Sequence, residues 1–398
     1  MNAELRSSIN AQFSQALYAD LLARLSQQLG EAVDFRVAET PVFVDADLRN
    51  QLVAACNDIC AQLLTPEYFE ASTAAIPPHQ FVPGNDAKPT VMIIDFAVCK
   101  QPDGRLYPQV IELQGFPSLF CYQSVLAEAY RSVYQLPENY SPYLSGYTQQ
   151  SFLALMQSWI KGSHPAENVV LLELEPEKQK TRSDFQATEL LTGVRSVCLS
   201  QIKREGRQLF YEHNGALVPI YRLYNRVIFD ELEQRPELIG EFDLTQEVDV
   251  EWVSHPNWYF RMSKYSLPFL KSTYVPESHF VHQLGSLPTD LENWVLKPLY
   301  SFAGAGVLVD VTAEDITSLV HPEHYLLQRK VEYAPVLESP EALVKIEIRM
   351  MVFLPEGSRQ PQIITNLTRL SRGKLIGVRY NEDFNWVGGS SAFFEQEG

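Results

Sequence analysis

Two groups of residues, far apart in the sequence, carry the chemistry this chain could do. The first is basic and glycine-containing. In WVLKPLYSFAGAGVLVD, from Trp294 to Asp310, an apolar run leads into Lys297 and a proline, a small-residue loop holds Ser301, Gly304 and Gly306, and a second apolar run follows. That order predicts two strands joined by a loop, with a lysine at the end of the first strand. Glycines let backbone amides approach an anion, and an ammonium group adds the point charge that phosphate oxygens require. Nucleotide phosphate is the guest such a cradle suits. The same residues also fit a plain β-hairpin with a solvated lysine. No Gly-Lys-Ser/Thr follows the loop and a strand, not a helix, comes after it, which argues against a P-loop and a dinucleotide site. Lys264 or Lys271, Lys330, Arg349 and Arg369 extend the basic set.

The second group is acidic: Asp95, Glu112 and Gln114. Glu112 and Gln114 stand two apart, so on a strand they share a face, and Asp95 lies on the strand before, across the turn QPDGR. Oxygen ligands of this kind suit magnesium, which takes one or two carboxylates and completes its shell with water and phosphate. Carboxylates inside runs such as VMIIDFAV and VIELQGF are costly to bury alone. A cation would remove that cost; so would an arginine. Paired carboxylates also fit a hydrolase acid-base pair.

These residues need elements to hold them. Residues 1–90 read as an N-terminal helical segment, with apolar positions three and four apart in INAQFSQALYADLLARL and ADLRNQLVAACNDICAQLL. TVMIIDFAVCK and PQVIELQGFPSLF read as a hairpin, followed by the helix SVLAEAYRSVYQL, within a segment 91–164. From 165 to 245 the texture alternates strand and helix, NVVLLELEP then TRSDFQATELLTG then RSVCLS, as in a small open α/β layer. Residues 246–398 read mostly as strands, including YLLQRKVEY, KIEIRMMVF and PQIITNLTRLSRGKLIGVRYN. The fold class expected is α+β with mixed sheets. In LLQRKV, Gln328 and Lys330 alternate onto one side; Glu347 and Arg349 share a face and suit a structural ion pair as well as a catalytic one. GGSSAF near the C-terminus reads as a turn.

Taken together these segments resemble the ATP-grasp superfamily. SKYSLPFLKSTYVP resembles its first lysine segment, favouring Lys264; VLKPLYSFAGAGV its second lysine and phosphate loop; YLLQRKVEY its hinge. DFAV with VIELQGFPSL resembles its metal strands, with Gln114 where asparagine is usual. The metal segment comes before the lysines, as in the circularly permuted branch that includes glutathionylspermidine synthetase. The resemblance covers about 91–125 and 165–398 and leaves the N-terminal helices unmatched. It implies ATP and Mg2+ as cofactors, with Lys264, Lys297, Ser301, Gly304, Gly306, Gln328, Lys330 and Val331 around the nucleotide and Asp95, Glu112 and Gln114 on the metal. It implies a ligase that activates a small carboxylate as an acyl phosphate for capture by an amine, with Arg349 or Arg369 as the catalytic arginine. A nucleotide-binding protein of this fold without turnover is the alternative.

Bulk composition bounds the partners. The 398 residues are 45% hydrophobic and 11% aromatic with a net charge of -17, which excludes disorder and disfavours nucleic acid and anionic membrane. No apolar run is long enough to span a bilayer and the opening MNAELRSSINAQF lacks a signal plan, so a cytoplasmic protein is expected. Five cysteines suit reduced thiols; Cys56 and Cys60, four apart on a helix, suit buried packing. Oligomeric state is not encoded in these features.

Overall fold

The strand VMIIDFAVCK is apolar on both faces up to Cys99 because both are covered, and the buried exception within that run is Asp95. In the computed structural model, which describes residues 1–397 except 85, 302–303, 356–357, 359, 374–375, 377–380 and 382, the chain is a mixed α+β protein. Helices α1 (Ala3–Asn10) and α2 (Gln15–Leu29), strand β1 (Val42–Val44) and helices α3 (Ala46–Leu63) and α4 (Pro66–Ala71) come first. The hairpin β2 (Val91–Lys100) and β3 (Leu106–Gln114) follows, then α5 (Phe120–Val133), β4 (Tyr140–Ser141) and α6 (Gln149–Lys161). Next come β5 (Val169–Glu173), α7 (Arg182–Thr192), β6 (Arg195–Cys198), β7 (Lys203–Glu205), β8 (Gln208–His213), β9 (Ala216–Ile220), β10 (Arg222–Asn225), α8 (Phe229–Gln234) and β11 (Glu251–Val253). Last are α9 (Trp258–Arg261), β12 (Ser278–Phe280), β13 (Trp294–Pro298), α10 (Ala313–Thr317), β14 (Tyr325–Arg329), β15 (Pro335–Leu337), β16 (Val344–Phe353), β17 (Gln362–Ser371), β18 (Gly388–Ser390) and β19 (Ala392–Glu395).

Among the described residues the strands form five sheets. The largest runs β18-β17-β16-β2-β3, with β15 also on β16; a second, all parallel, runs β11-β10-β5-β6; a third runs β12-β14-β13. The others are β7-β8-β9 and β1-β19-β4. The second is the open layer expected from the strand-helix alternation. It takes in Glu251–Val253, past residue 245.

Alternation along β2 distributes its side chains. Met92, Ile94, Phe96 and Val98 enter a core with Leu48, Leu52, Ala55, Cys56 and Ile59 of α3. Val91 and Ile93 face the opposite way, into a core with Phe120, Tyr122 and Val125 of α5. Asp95 is next on that second face and is almost fully buried. Four large apolar side chains contribute about 1.5–3 kcal/mol each on the first face. That exceeds the several kcal/mol it costs to hold one ion network on the second. All five cysteines are buried and unpaired, and Cys60 Sγ lies 3.7 Å from Met92 Sδ.

The N-terminal helices are part of these cores, which their amphipathic faces alone did not disclose. In addition β1 pairs in parallel with β19, Val42 opposite Ala392 and Val44 opposite Phe394. GGSSAF is therefore not a turn but parts of two buried strands. Gly388 packs so closely on residue 36 that a Cβ would sit 2.3 Å from the Arg36 carbonyl. The strand expected over KLIGVRYN lies largely outside the described residues. The second arm of the Lys297 hairpin is reduced to one antiparallel bridge, Leu296 with Leu308, made by hydrogen bonds of 3.0 and 2.9 Å.

Candidate active site

The acidic hairpin forms with Asp95 directly opposite Glu112 and Ile93 opposite Gln114. Between Asp95–Glu112 and Phe96–Val110 the register slips, leaving Ile111 as the extra residue of a β-bulge. A bulged residue drops out of the ladder, so its backbone groups need other partners. Lys297 supplies one: its Nζ donates to the Ile111 carbonyl at 3.0 Å and to Gln328 Oε1 at 2.5 Å. The cationic strand is thus brought onto the acidic hairpin beside Glu112.

Lys264 arrives by a second route. Gly115 follows Gln114, and a Cβ there would lie 2.3 Å from the Trp258 carbonyl and 2.7 Å from Met262 Cβ. Glycine therefore lets the segment through Trp258 press against the end of β3, where Ser254 Oγ also donates to the Gly115 carbonyl at 2.9 Å. The 3-10 turn Lys264–Phe269 begins just beyond, capped by Ser263. Lys264 Nζ donates to the Ser301 carbonyl at 2.6 Å and lies 3.7 Å from Glu112 Oε2. Lys271 is exposed, its backbone tied to Gln62 of α3, and lies outside the site. Gly304 and Gly306 take φ of +74° and +71°, where the loop turns back toward Leu308.

The acidic group differs from expectation at Asp95. Its carboxylate is clasped by Arg349, Nε to Oδ1 and Nη2 to Oδ2 at 2.7 Å each, and by Arg369 Nη2. Burial would raise this carboxyl, but Arg349 and then Arg369 more than offset it and hold it below its ordinary range. An ionised, doubly paired carboxylate has no proton to give, so Asp95 is not the acid of an acid-base pair. Both oxygens are also engaged by arginines, at the residue where the sequence suggested a magnesium ligand. The expected Glu347–Arg349 pair is replaced by cross-strand pairs: Arg349 faces Asp95, and Glu347 faces Arg369, with Arg369 Nη2 2.8 Å from Glu347 Oε1.

Glu112 and Gln114 retain metal-binding capacity. Gln114 Nε2 donates to Glu112 Oε1 at 3.0 Å, while Gln114 Oε1 is buried without a hydrogen-bond partner among the described residues. One carboxylate and one orphaned amide oxygen fit an ion that keeps water and phosphate in its shell. They do not make an all-protein cage, and among the described residues no trio of His, Cys, Asp or Glu could hold a metal. The cavity against Glu112, Gln114, Phe116, Tyr259, Lys264 and Ser301 is about 30 Å³, and Ser301 Oγ is also buried there without a partner among the described residues.

The remaining expected residues separate. Gln328 is buried against Lys297, whereas Lys330 lies just past the end of β14, 3.7 Å from Asp310. Lys330 and Val331 line a roomier cavity of about 370 Å³, with Tyr333 on its wall and Cys99 and Tyr107 across from them. Sequence reasoning missed Tyr333, whose hydroxyl donates to Glu347 at 2.5 Å, and the Ile111 carbonyl. Tyr333 stands two residues after Val331, a spacing that gives it the same face in an extended chain. Nothing in the sequence pointed to the bulge. Burial pulls the Lys297 ammonium down to about 8, with Glu112 opposing and Lys264 adding to the shift.

No protein-family model and no curated protein matches the sequence. Among solved structures, a glutathione synthetase-like effector from Globodera pallida, in its apo form, matches with a TM-score of 0.57 and 11% identity, over 97% of this chain and 98% of that one. No helix among the described residues is long and apolar enough to cross a membrane. The chain therefore shares its α+β fold, over nearly its full length, with that glutathione synthetase-like protein.

Proposed function

We propose that this protein is an ATP-dependent ligase that activates a small carboxylate as an acyl phosphate for capture by an amine. The observation that carries the reading is the meeting of Lys297 and Lys264 with Glu112 at the Ile111 bulge. Two ammonium groups, a carboxylate and an orphaned amide oxygen in one buried place are what a triphosphate with its magnesium requires. Lys297 and Lys264 would bind phosphate oxygens, Glu112 and Gln114 would hold the ion, and the ion would neutralise charge on the transferring group. The cavity flanked by Lys330 and Val331 would take the base. Arg369, with a third of its side chain exposed, is better placed to meet the substrate carboxylate than the enclosed Arg349. A space of about 30 Å³ admits little more than water. Phosphate must therefore displace the Lys264–Ser301 and Lys297–Gln328 hydrogen bonds as it enters.

Turnover is tested by incubating the protein with ATP, magnesium and pools of carboxylates and amines. ADP release that depends on an added carboxylate is the expected result; ATP hydrolysis indifferent to every carboxylate would contradict it. A second reading, a nucleotide-binding protein without turnover, is favoured by the engagement of Asp95 with arginines. Tight ATP binding with no ADP release would select it.

Two further outcomes are expected of the same site. In Glu112→Gln the magnesium dependence of ATP affinity should largely vanish, which titrations with and without the ion would measure; an unchanged dependence would remove Glu112 from the site. ATP affinity in the wild type should also depend on pH. Phosphate binds the charged lysine, so affinity is flat below about 8, the value to which burial brings Lys297, and falls as pH rises through it, approaching about tenfold per pH unit. Lys297→Arg, charged throughout, should flatten the curve.

A further inference from the structure

We propose that Tyr333 is a positioning residue, through which the cavity beside Lys330 and Val331 controls the posture of Arg369. The inference rests on the ligase reading, in which that cavity holds the base and Arg369 meets substrate. After β14 the chain crosses to the large sheet, where Ala334 N donates to the Val98 carbonyl at 3.0 Å. Tyr333 lies on this crossing and is one of the residues that line the cavity. Its hydroxyl donates to Glu347 Oε2, and Glu347 Oε1 forms an ion pair with Arg369, 2.8 Å from Nη2. The same nitrogen donates to Asp95 Oδ2. The buried Nε of Arg369 has no hydrogen-bond partner among the described residues.

Arg369 therefore hangs from two carboxylates that are held very differently. Asp95 is locked by both arms of Arg349. Glu347 has, besides Arg369 itself, the Tyr333 hydroxyl. Burial pushes the Glu347 carboxyl up; Arg369 opposes that, Asp95 adds to it, and the Tyr333 hydrogen bond favours the ionised form. The charged and titratable groups around Glu347 are Asp95 on β2, Glu112 on β3, Lys297 on β13, Tyr333 on the crossing, Arg349 on β16 and Arg369 on β17. Of these, Tyr333 alone is both a hydrogen-bond donor to Glu347 and a wall of the cavity. A planar group entering the cavity pushes on the ring, the hydroxyl shifts, and Glu347 tightens or releases its hold on Arg369. Loss of the hydroxyl would let Glu347 take up a proton nearer neutral pH and free one of Arg369's anchors.

The test is the rate at which phenylglyoxal modifies Arg369 in the full chain, read by peptide mass spectrometry across a pH series. In Tyr333→Phe the rate should exceed wild type by about tenfold, the effect of losing one charge-assisted hydrogen bond. The ratio should shrink as pH rises and Glu347 ionises in both proteins. Arg372, partly exposed and paired with Glu341, should react equally in both. Glu347→Gln cuts the link from the other side and should give a raised rate whose ratio to wild type lacks that shrinkage. Adenosine, which has no phosphate to touch Arg369, should change the rate in wild type and not in Tyr333→Phe. Equal Arg369 rates at every pH, or a parallel rise at Arg372, would overturn the proposal. The readout needs no turnover, so failure of the link is distinguishable from failure of the ligase reading.

Discussion

Lys297→Ala is expected to weaken ATP binding by about 10- to 100-fold, the worth of one charge-assisted contact to phosphate of about 1.5–3 kcal/mol. The fold should survive it. Removing the ammonium relieves a buried charge whose protonation is already depressed to about 8. It also leaves the Ile111 carbonyl and Gln328 Oε1 without their donor, at a cost of about 1–3 kcal/mol. The two effects oppose each other and are of similar size, so the melting temperature should move little. Calorimetric titration with ATP alongside a thermal melt separates binding from stability; unchanged affinity would detach Lys297 from the nucleotide.

Asp95→Ala should act the other way, on the protein before any ligand is added. It strips the shared partner from Arg349 and Arg369, and breaking a buried pair from one side costs about 3–5 kcal/mol. At two to four degrees per kcal/mol for a larger domain, the melting temperature should fall by about 10 °C. The same anchor sets an acid limit. Because the folded carboxyl lies below its unfolded value of about 3.9, its contribution is present above that pH and is lost as pH falls through the lower folded value. If Asp95 serves chiefly as a metal ligand, as its sequence context suggested, the substitution should instead spare the ligand-free protein and abolish magnesium dependence. A melt without nucleotide therefore decides between the two roles.

What the sequence disclosed and what it hid divide along physical lines. Local pattern was legible: the turn QPDGR joins two strands, and the spacing of Asp95, Glu112 and Gln114 put them on one face, as the register has them. The strand ending in Lys297 and the parallel layer were legible for the same reason, since period and punctuation are written locally. Partners distant in sequence were not. The arginines that claim Asp95 come from strands more than 250 residues away, and no local rule says that a buried carboxylate will meet guanidinium and not metal. The bulge at Ile111 is a defect of pairing, invisible until both strands are placed. GGSSAF looked like a turn by composition, yet it is threaded between β17 and the N-terminal segment, where tight contact with Arg36 requires small residues. The N-terminal helices looked separate because their apolar faces find partners only in later strands.

In the proposed ligase, Lys297 and Glu112 grip one nucleotide from opposite sheets. The most direct test of that grip is a double-mutant cycle on ATP affinity in the presence of magnesium, using Lys297→Ala, Glu112→Gln and the pair. Residues that act through one ligand should be coupled, with the double loss differing from the sum of the single losses by about 1 kcal/mol or more. Losses that simply add, or a wild-type protein that does not bind ATP with magnesium at all, would contradict it.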